Sequence, residues 1–355
     1  MARISTIKRL SLTALAGLAL ACSGHPIPIV GPATTSQATL ALLSTLADDS
    51  LEGRRTGERG ATRAAGVIAR AMVRIGLGAG GDSGYYQRLP VATGARVIND
   101  RPIAAPVLLP SFAARDSLHP SKRLPAYNVI GILPGADPQF AAEHLLIGAH
   151  YDHLGIRPNG TTDSIYNGAD DDASGVVAIL EIARILKEGE PLKRTVIFAA
   201  WTGEETGLLG ARWYSDHPTR PLAQMVANLE VEMIGRPDSL AGGPGKAWLT
   251  GYERSTLGDL LKASRISIGP DKRPEQEFFR RSDNYQFALR GIVAHTVSSY
   301  NMHDDYHRAS DEVSRIDGAH MAAVINLTAR AVRILADGPK PTWKPNGQPT
   351  QGNRP

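Results

Sequence analysis

The chain has 355 residues, 42 % hydrophobic and 21 % charged, enough to bury one large core and too apolar overall for global disorder. Its 39 basic and 35 acidic residues give a formal charge of +4. They are interspersed without a long basic run or an aromatic-basic motif, which argues against a nucleic-acid partner. The only cysteine is Cys22, so no intrachain disulfide forms and core burial must hold the fold.

Arg3, Lys8 and Arg9 precede an apolar stretch at 10–21, shorter than the roughly 20 residues a membrane-spanning helix needs. Residues 1–21 therefore read as a signal peptide. Ala19-Leu20-Ala21 fits the small-x-small cleavage pattern, and Cys22 follows where exported bacterial lipoproteins carry their lipidated cysteine. A lipobox usually has Leu three positions before that cysteine, whereas this chain has Ala19 there and Leu18 one earlier. Lipid anchoring through Cys22 and simple secretion into the periplasm or medium are the two routes, and both place the chain outside the cytoplasm, in or beyond the cell envelope. The anchor is the one membrane contact expected.

Residues 22–37, rich in Pro, Gly, Ser and Thr, read as a flexible tether. Helical spacing of apolar residues follows at 38–47 and 60–75, the second ending at Gly76. Residues 91–125, with Pro102, Pro106, Pro110, Pro120 and Pro125, show no clear periodicity and read as an irregular insertion or strand pair. Beyond them apolar runs at 128–133, 145–149 and 196–200 alternate with helical patterns at 174–187 and 318–335. That alternation predicts an α/β fold, one domain over 38–337 with helices on both faces of a central sheet. Residues 338–355, rich in Pro, Gly and Gln, read as a disordered tail.

Chemistry-bearing residues gather where these strands end. Glu204 and Glu205 leave the run at 194–201, flanked by Gly203 and Gly207. Ligands of open α/β sheets collect beyond the carboxyl ends of the strands, and the glycines let the backbone turn closely there. His150-Tyr151-Asp152 follows the 145–149 strand. Such a His can bind a metal while the carboxylate two residues on holds its other nitrogen; an ordinary strand-end His is the competing reading.

Asp170-Asp171-Asp172 precede the helix that starts at Ser174. One carboxylate serves as a cap, but three crowded together repel one another unless a cation is present. Glu232 ends the apolar run at 226–234, with Glu230 on the same face as its register competitor. His303 and His307 lie among Asp304, Asp305 and Asp311 in a polar loop, from which one His is expected to bind metal.

Together these segments resemble the zinc aminopeptidase family with a bridged metal pair, which includes bacterial leucine-type aminopeptidases, aminopeptidase Y and the glutamate carboxypeptidase relatives. The resemblance is carried by Gly148-Ala149-His150-Tyr151-Asp152-His153, Gly168-Ala169-Asp170-Asp171-Asp172-Ala173-Ser174-Gly175, Gly203 to Gly210, Glu232-Met233-Ile234-Gly235 and Tyr306-His307-Arg308-Ala309-Ser310-Asp311. Leu51-Glu52-Gly53-Arg54 is similar to the segment that opens these domains. The resemblance implies a mixed, mostly parallel sheet of zinc-exopeptidase type and two Zn²⁺ per chain. His150 and Glu232 would hold one ion, Glu205 and His307 the other, and Asp171 would bridge them. It further implies that Asp152 orients His150 and that Glu204 is the general base.

This chain departs from the family in having Glu232 where Asp is usual before Met-Ile-Gly, and Ser282-Asp283-Asn284 where relatives often read Ser-Asp-His. The reaction the resemblance implies is hydrolysis of N-terminal residues from peptides. A carboxypeptidase or dipeptidase on the same scaffold is the rival, with Arg280 and Arg281 as candidate binders of a substrate carboxylate. A non-catalytic envelope binding protein is the more distant one. Side-chain preference and oligomeric state leave no trace in the sequence.

Overall fold

The computed structural model describes residues 30–98, 101–158 and 163–350. The signal-peptide expectation, Cys22 and most of the tether lie outside them. A nine-stranded sheet forms the centre, with strands in the order Gly78–Ala79, Tyr127–Leu133, Thr195–Trp201, His144–His150, Met225–Glu232, Ala294–Ser298, Ala247–Leu249 and Ile268–Pro270, and with Tyr86–Arg88 also paired to Tyr127–Leu133. The four central strands, from Thr195–Trp201 to Ala294–Ser298, are mutually parallel. Tyr127–Leu133 and Ala247–Leu249 join them antiparallel on either side. The expected mixed, mostly parallel sheet is thus present.

The central strands are apolar without interruption because both their faces are covered. Leu145, Ile147, Ala149, Val196, Phe198 and Ala200 face one core, built with helices Ser36–Leu46, Arg59–Ile75, Ser174–Glu188 and Gly318–Asp337. The alternating residues Leu146, Ile197, Ala199 and Trp201 face a second core with Ala211, Tyr214, Tyr285 and Phe287 from helices Leu209–Asp216 and Asn284–Ala288. Period-2 alternation therefore sorts one hydrophobic run onto two layers of helix. No described helix is long and apolar enough to cross a membrane.

Two segments are more ordered than their composition suggests. In 91–125, strands Val91–Ile98 and Arg101–Leu108 form a hairpin and Arg123–Leu124 adds a third strand. Val91 and Leu89 pack with Leu209 and Trp213, so burial at the root of the hairpin outweighs the disruptive effect of Pro102 and Pro106 on the strand Arg101–Leu108. The tail is docked as far as it is described, to Thr350: Trp343 Nε1 donates to the Gly291 carbonyl at 3.0 Å and Lys344 N to the Arg254 carbonyl at 2.9 Å. Trp343 also packs edge-on against Phe279. One aromatic residue is enough to anchor a segment whose other residues favour disorder. The expectation for 351–355 lies outside the described residues, and Ser36 and Gln37, expected in the tether, already belong to the first helix.

Candidate active site

Because the four central strands run parallel, their carboxyl ends share one edge of the sheet. His150 closes its strand level with Trp201, so the turn that carries Glu204 and Glu205 begins just beyond it. Glu232 closes the next strand level with Ser298, and the loop carrying His303 and His307 follows. Asp171 enters from the turn before the Ser174–Glu188 helix and is joined to Asp172 by a cis peptide bond.

Arg54 ties these pieces together. It is 1 % exposed and donates to the carbonyls of Leu46, Tyr151, Asn167 and Gly168 at 2.6–2.9 Å. One guanidinium thereby fixes both the loop after His150 and the turn before Asp171, and it satisfies carbonyls that burial would otherwise leave unpaired.

Asp171 lies at the centre of the cluster. His150 Nε2 is 3.2 Å from its Oδ1, and His307 Nε2 is 3.1 Å from its Oδ2. His307 Nε2 is also 3.2 Å from Glu205 Oε2. Four of the proposed ligands, His150, Asp171, Glu205 and His307, are therefore brought together, with Asp171 between the two histidines. Glu232 lines the same cleft as Asp171 and Glu204. Glu230, its register competitor, is turned away and accepts from Trp201 Nε1 at 3.0 Å and Asn228 Nδ2 at 2.7 Å. Gly148 makes room for that pairing, since a Cβ there would lie 2.1 Å from Glu230 Oε2.

His153 had no assigned role, yet its Nδ1 lies 2.8 Å from Glu205 Oε1. With Asp171 and Glu205 it forms a buried group compact enough to hold a metal ion. Its place three residues after His150 was visible in the sequence, but beyond the strand end no periodicity says where a side chain points.

Asp152 differs in detail from its expected role. His150 Nδ1 is 3.1 Å from the Asp152 backbone carbonyl, while the carboxylate stands 3.8 Å away. That carboxylate accepts from the Glu204 backbone N–H at 3.1 Å and from the Thr56 hydroxyl at 3.0 Å, so it positions the Glu204 turn. Asp172 accepts from Gly175 N and Met233 N, both at 3.0 Å, and caps the helix. Asp170 accepts from Gly235 N at 2.7 Å and lies 3.0 Å from His303 Nε2.

Asp171 Oδ2, Glu205 Oε1, Glu232 Oε2 and both ring nitrogens of His153 are buried without a hydrogen-bond partner, an arrangement that is costly unless a cation occupies the space between them. Carboxylate and imidazole donors in this mixture suit zinc. Burial and the Asp171 charge push the Glu205 carboxyl up, but the adjacent His153 and His307 imidazoles outweigh them and hold it at about 2. Burial works against charge on His307, and the Asp171 and Glu205 carboxylates raise it to about 10. Glu204 behaves in the opposite way: burial, reinforced by Glu232 and Glu205, holds its carboxyl well above the usual range. A carboxyl raised in this manner is suited to holding a proton.

A cleft opens beside this cluster. It is lined by Asp171, Glu204 and Glu232 together with Trp248, Phe278, Tyr300 and Tyr306, with Arg281 also in its wall.

Residues 128–332 match the family model described as Peptidase family M28. The chain belongs to peptidase family M28. It is 28 % identical over 212 residues to a vacuolar membrane protease of Kluyveromyces lactis, covering 59 % of this chain and 22 % of that one. It is 33 % identical over 174 residues to a probable leucine aminopeptidase 2 of Aspergillus fumigatus, covering 47 % and 32 %. The chain spans from 18 % to 64 % of the length of these and similar curated relatives. In fold it is similar to a zinc aminopeptidase from Bacillus subtilis, with a TM-score of 0.62 at 16 % identity, covering 89 % of this chain and 98 % of that one. The M28 match begins at the strand Tyr127–Leu133 and ends within the last helix, Gly318–Asp337, so it contains His150, Asp171, Glu205, Glu232 and His307. The hairpin at 91–108 lies before it.

Proposed function

We propose that the chain is a zinc-dependent metalloexopeptidase, an aminopeptidase that removes N-terminal residues from peptides, with two zinc ions held by His150, Asp171, Glu205, Glu232 and His307. The observation that carries this reading is Asp171, buried between His150 and His307 with an unpartnered carboxylate oxygen, in the wall of a cleft that Glu204 shares. Bound zinc supplies Lewis acidity toward a peptide carbonyl and lowers the pKa of water.

The protein groups do the rest. Glu204, set by the Asp152 carboxylate, takes the proton from the attacking water and delivers it to the leaving amine. Glu232 presents a carboxylate against the substrate's α-ammonium. Trp248, Phe278, Tyr300 and Tyr306 exclude water from the first side chain and favour apolar N-terminal residues. Wild-type protein should cleave a peptide with a free amine and a C-terminal amide, lose that activity to a chelator and regain it with Zn²⁺. N-acetylation of the peptide should abolish cleavage. Cleavage that tolerates N-acetylation but not C-amidation would replace this reading.

One observation favours that second reading, a carboxypeptidase or dipeptidase. Arg281 lines the cleft, its guanidinium 5.0 Å from the Phe278 ring centre. Arg280 instead faces Glu277 at 3.6 Å. A guanidinium in the cleft wall suits a substrate carboxylate. Faster cleavage of Leu-Ala than of Leu-Ala amide, with the difference lost in Arg281→Gln, would favour the dipeptidase.

We also propose export to the cell envelope with lipid attachment at Cys22, a reading supported by the N-terminal sequence. Radiolabelled palmitate incorporated by the wild type and not by Cys22→Ser would bear it out, and release of both into the medium would favour secretion.

A further inference from the structure

We propose that His153 is an additional protein ligand of the metal ion held by Asp171 and Glu205, so that the two ions occupy unequal sites. The inference rests on the metallopeptidase reading above. His153 is fully buried, and neither ring nitrogen has a hydrogen-bond partner, although Nδ1 is 2.8 Å from Glu205 Oε1 and 3.8 Å from Asp171 Oδ2. A buried imidazole with both nitrogens unsatisfied is expensive. Two donor atoms that face each other closely without hydrogen-bond geometry have the relation of ligands around one cation, where bonds near 2.0–2.1 Å put neighbouring donors about 3 Å apart.

Glu205 is flanked on both sides, with Oε1 toward His153 and Oε2 toward His307. The fold also clears a slot for the ring. Gly168 has φ 53°, and a Cβ there would lie 2.6 Å from the His153 ring.

Counting His153, the ion on the Glu205 side has four protein ligands, His153, Asp171, Glu205 and His307. The ion on the His150 side has three, His150, Asp171 and Glu232. A four-ligand site is characteristic of a firmly held ion, whereas three protein ligands leave a position open to water or substrate. The Glu205-side ion is then the retained one and the His150-side ion the exchangeable one.

The test is metal content and visible absorption of cobalt-substituted full-length protein, titrated with a chelator. The wild type should release two ions in two separated steps. In His153→Ala the tighter step should weaken by more than about tenfold, with a change in the cobalt bands of the retained ion, while a His150→Ala variant should lose the looser step. His153→Gln, which preserves the side-chain volume, guards against a folding defect and should behave like His153→Ala. Unchanged affinities and bands in both His153 variants of a wild type that binds two ions and cleaves peptides would overturn this inference alone. A wild type that binds no metal would overturn the metallopeptidase reading with it.

Discussion

Asp170 and Asp171 are neighbours in the chain, yet they belong to two buried charged regions built in different ways. Around Asp170 every carboxylate oxygen has a protein donor. Arg236 contacts Asp305 at 2.6 Å and Asp311 at 3.3 Å, the Ser310 hydroxyl donates to Asp305, and Asp311 accepts from the backbone N–H groups of Asp170 and Asp171. Around Asp171 the carboxylates of Glu205 and Glu232 and the ring of His153 retain unpartnered atoms. In the first region the carboxylates are closed by protein donors, and in the second they are left open. A carboxylate network closed by arginine and backbone amides contributes rigidity, while one left open contributes chemistry.

The largest effect that separates the regions is expected from Asp171→Asn. Removing the carboxylate proposed to bridge the two ions should abolish binding of both and lower kcat/KM by about 10³-fold or more, well beyond the 10–100-fold typical of partners once removed from a metal. Asp170→Asn, one residue away, should retain both ions with metal affinity reduced about 10–100-fold. Equal losses in the two variants would merge the regions.

Arg236→Ala tests the closed region by stability. It strands Asp305 and Asp311 without their cation, and loss of one partner of a buried pair should cost about 3 kcal/mol in urea-induced unfolding of zinc-loaded protein. A loss below about 1 kcal/mol would mean that the network is effectively solvent-screened.

The smallest effect extends the comparison to imidazoles. His295, in contrast to His153, is fully satisfied: Nε2 is 2.7 Å from the Ser255 hydroxyl and Nδ1 2.7 Å from the Thr250 carbonyl. Burial lowers its pKa to about 4. Since this lies below the ordinary 6.5, the unfolded chain takes the proton first. The contribution to stability is complete above about pH 7 and is lost progressively as the pH falls toward 4. Relative to His295→Asn, the wild type should lose about 1 kcal/mol of stability between pH 7.5 and 5.5. A pH-independent difference would contradict the neutral assignment.

The architecture was legible wherever a pattern was long. The runs at 128–133, 145–149 and 196–200 are strands with at most one further residue at each end, since only a two-sided buried sheet accommodates such uninterrupted apolar sequence. That His150, Asp171, Glu205 and His307 would meet was legible because they follow strands in the order of a family that the chain resembles. The division of labour among Asp170, Asp171 and Asp172 was not a matter of composition, because each is nearly or fully buried and each carboxylate faces something different, the Gly235 amide for Asp170, the His150 and His307 rings for Asp171 and the Gly175 amide for Asp172. His153 escaped notice for the reason that Trp343 did, since in both cases a single side chain outside any periodic element finds a partner far away in sequence. Asp152 was recognised as a supporting residue, but whether its carbonyl or its carboxylate faces His150 depends on loop geometry that no spacing rule encodes.

Glu204 and Glu205 are adjacent, and the proposed chemistry gives them separate tasks. Metal analysis of Glu204→Gln and Glu205→Gln, purified side by side and equilibrated with the same Zn²⁺ concentration, examines that separation directly. Glu204→Gln should hold two zinc ions per chain with turnover lowered by about 10²–10⁴-fold, and Glu205→Gln should lose the ion on its side. Equal zinc content in the two variants would contradict the assignment of Glu205 to the metal and Glu204 to the proton.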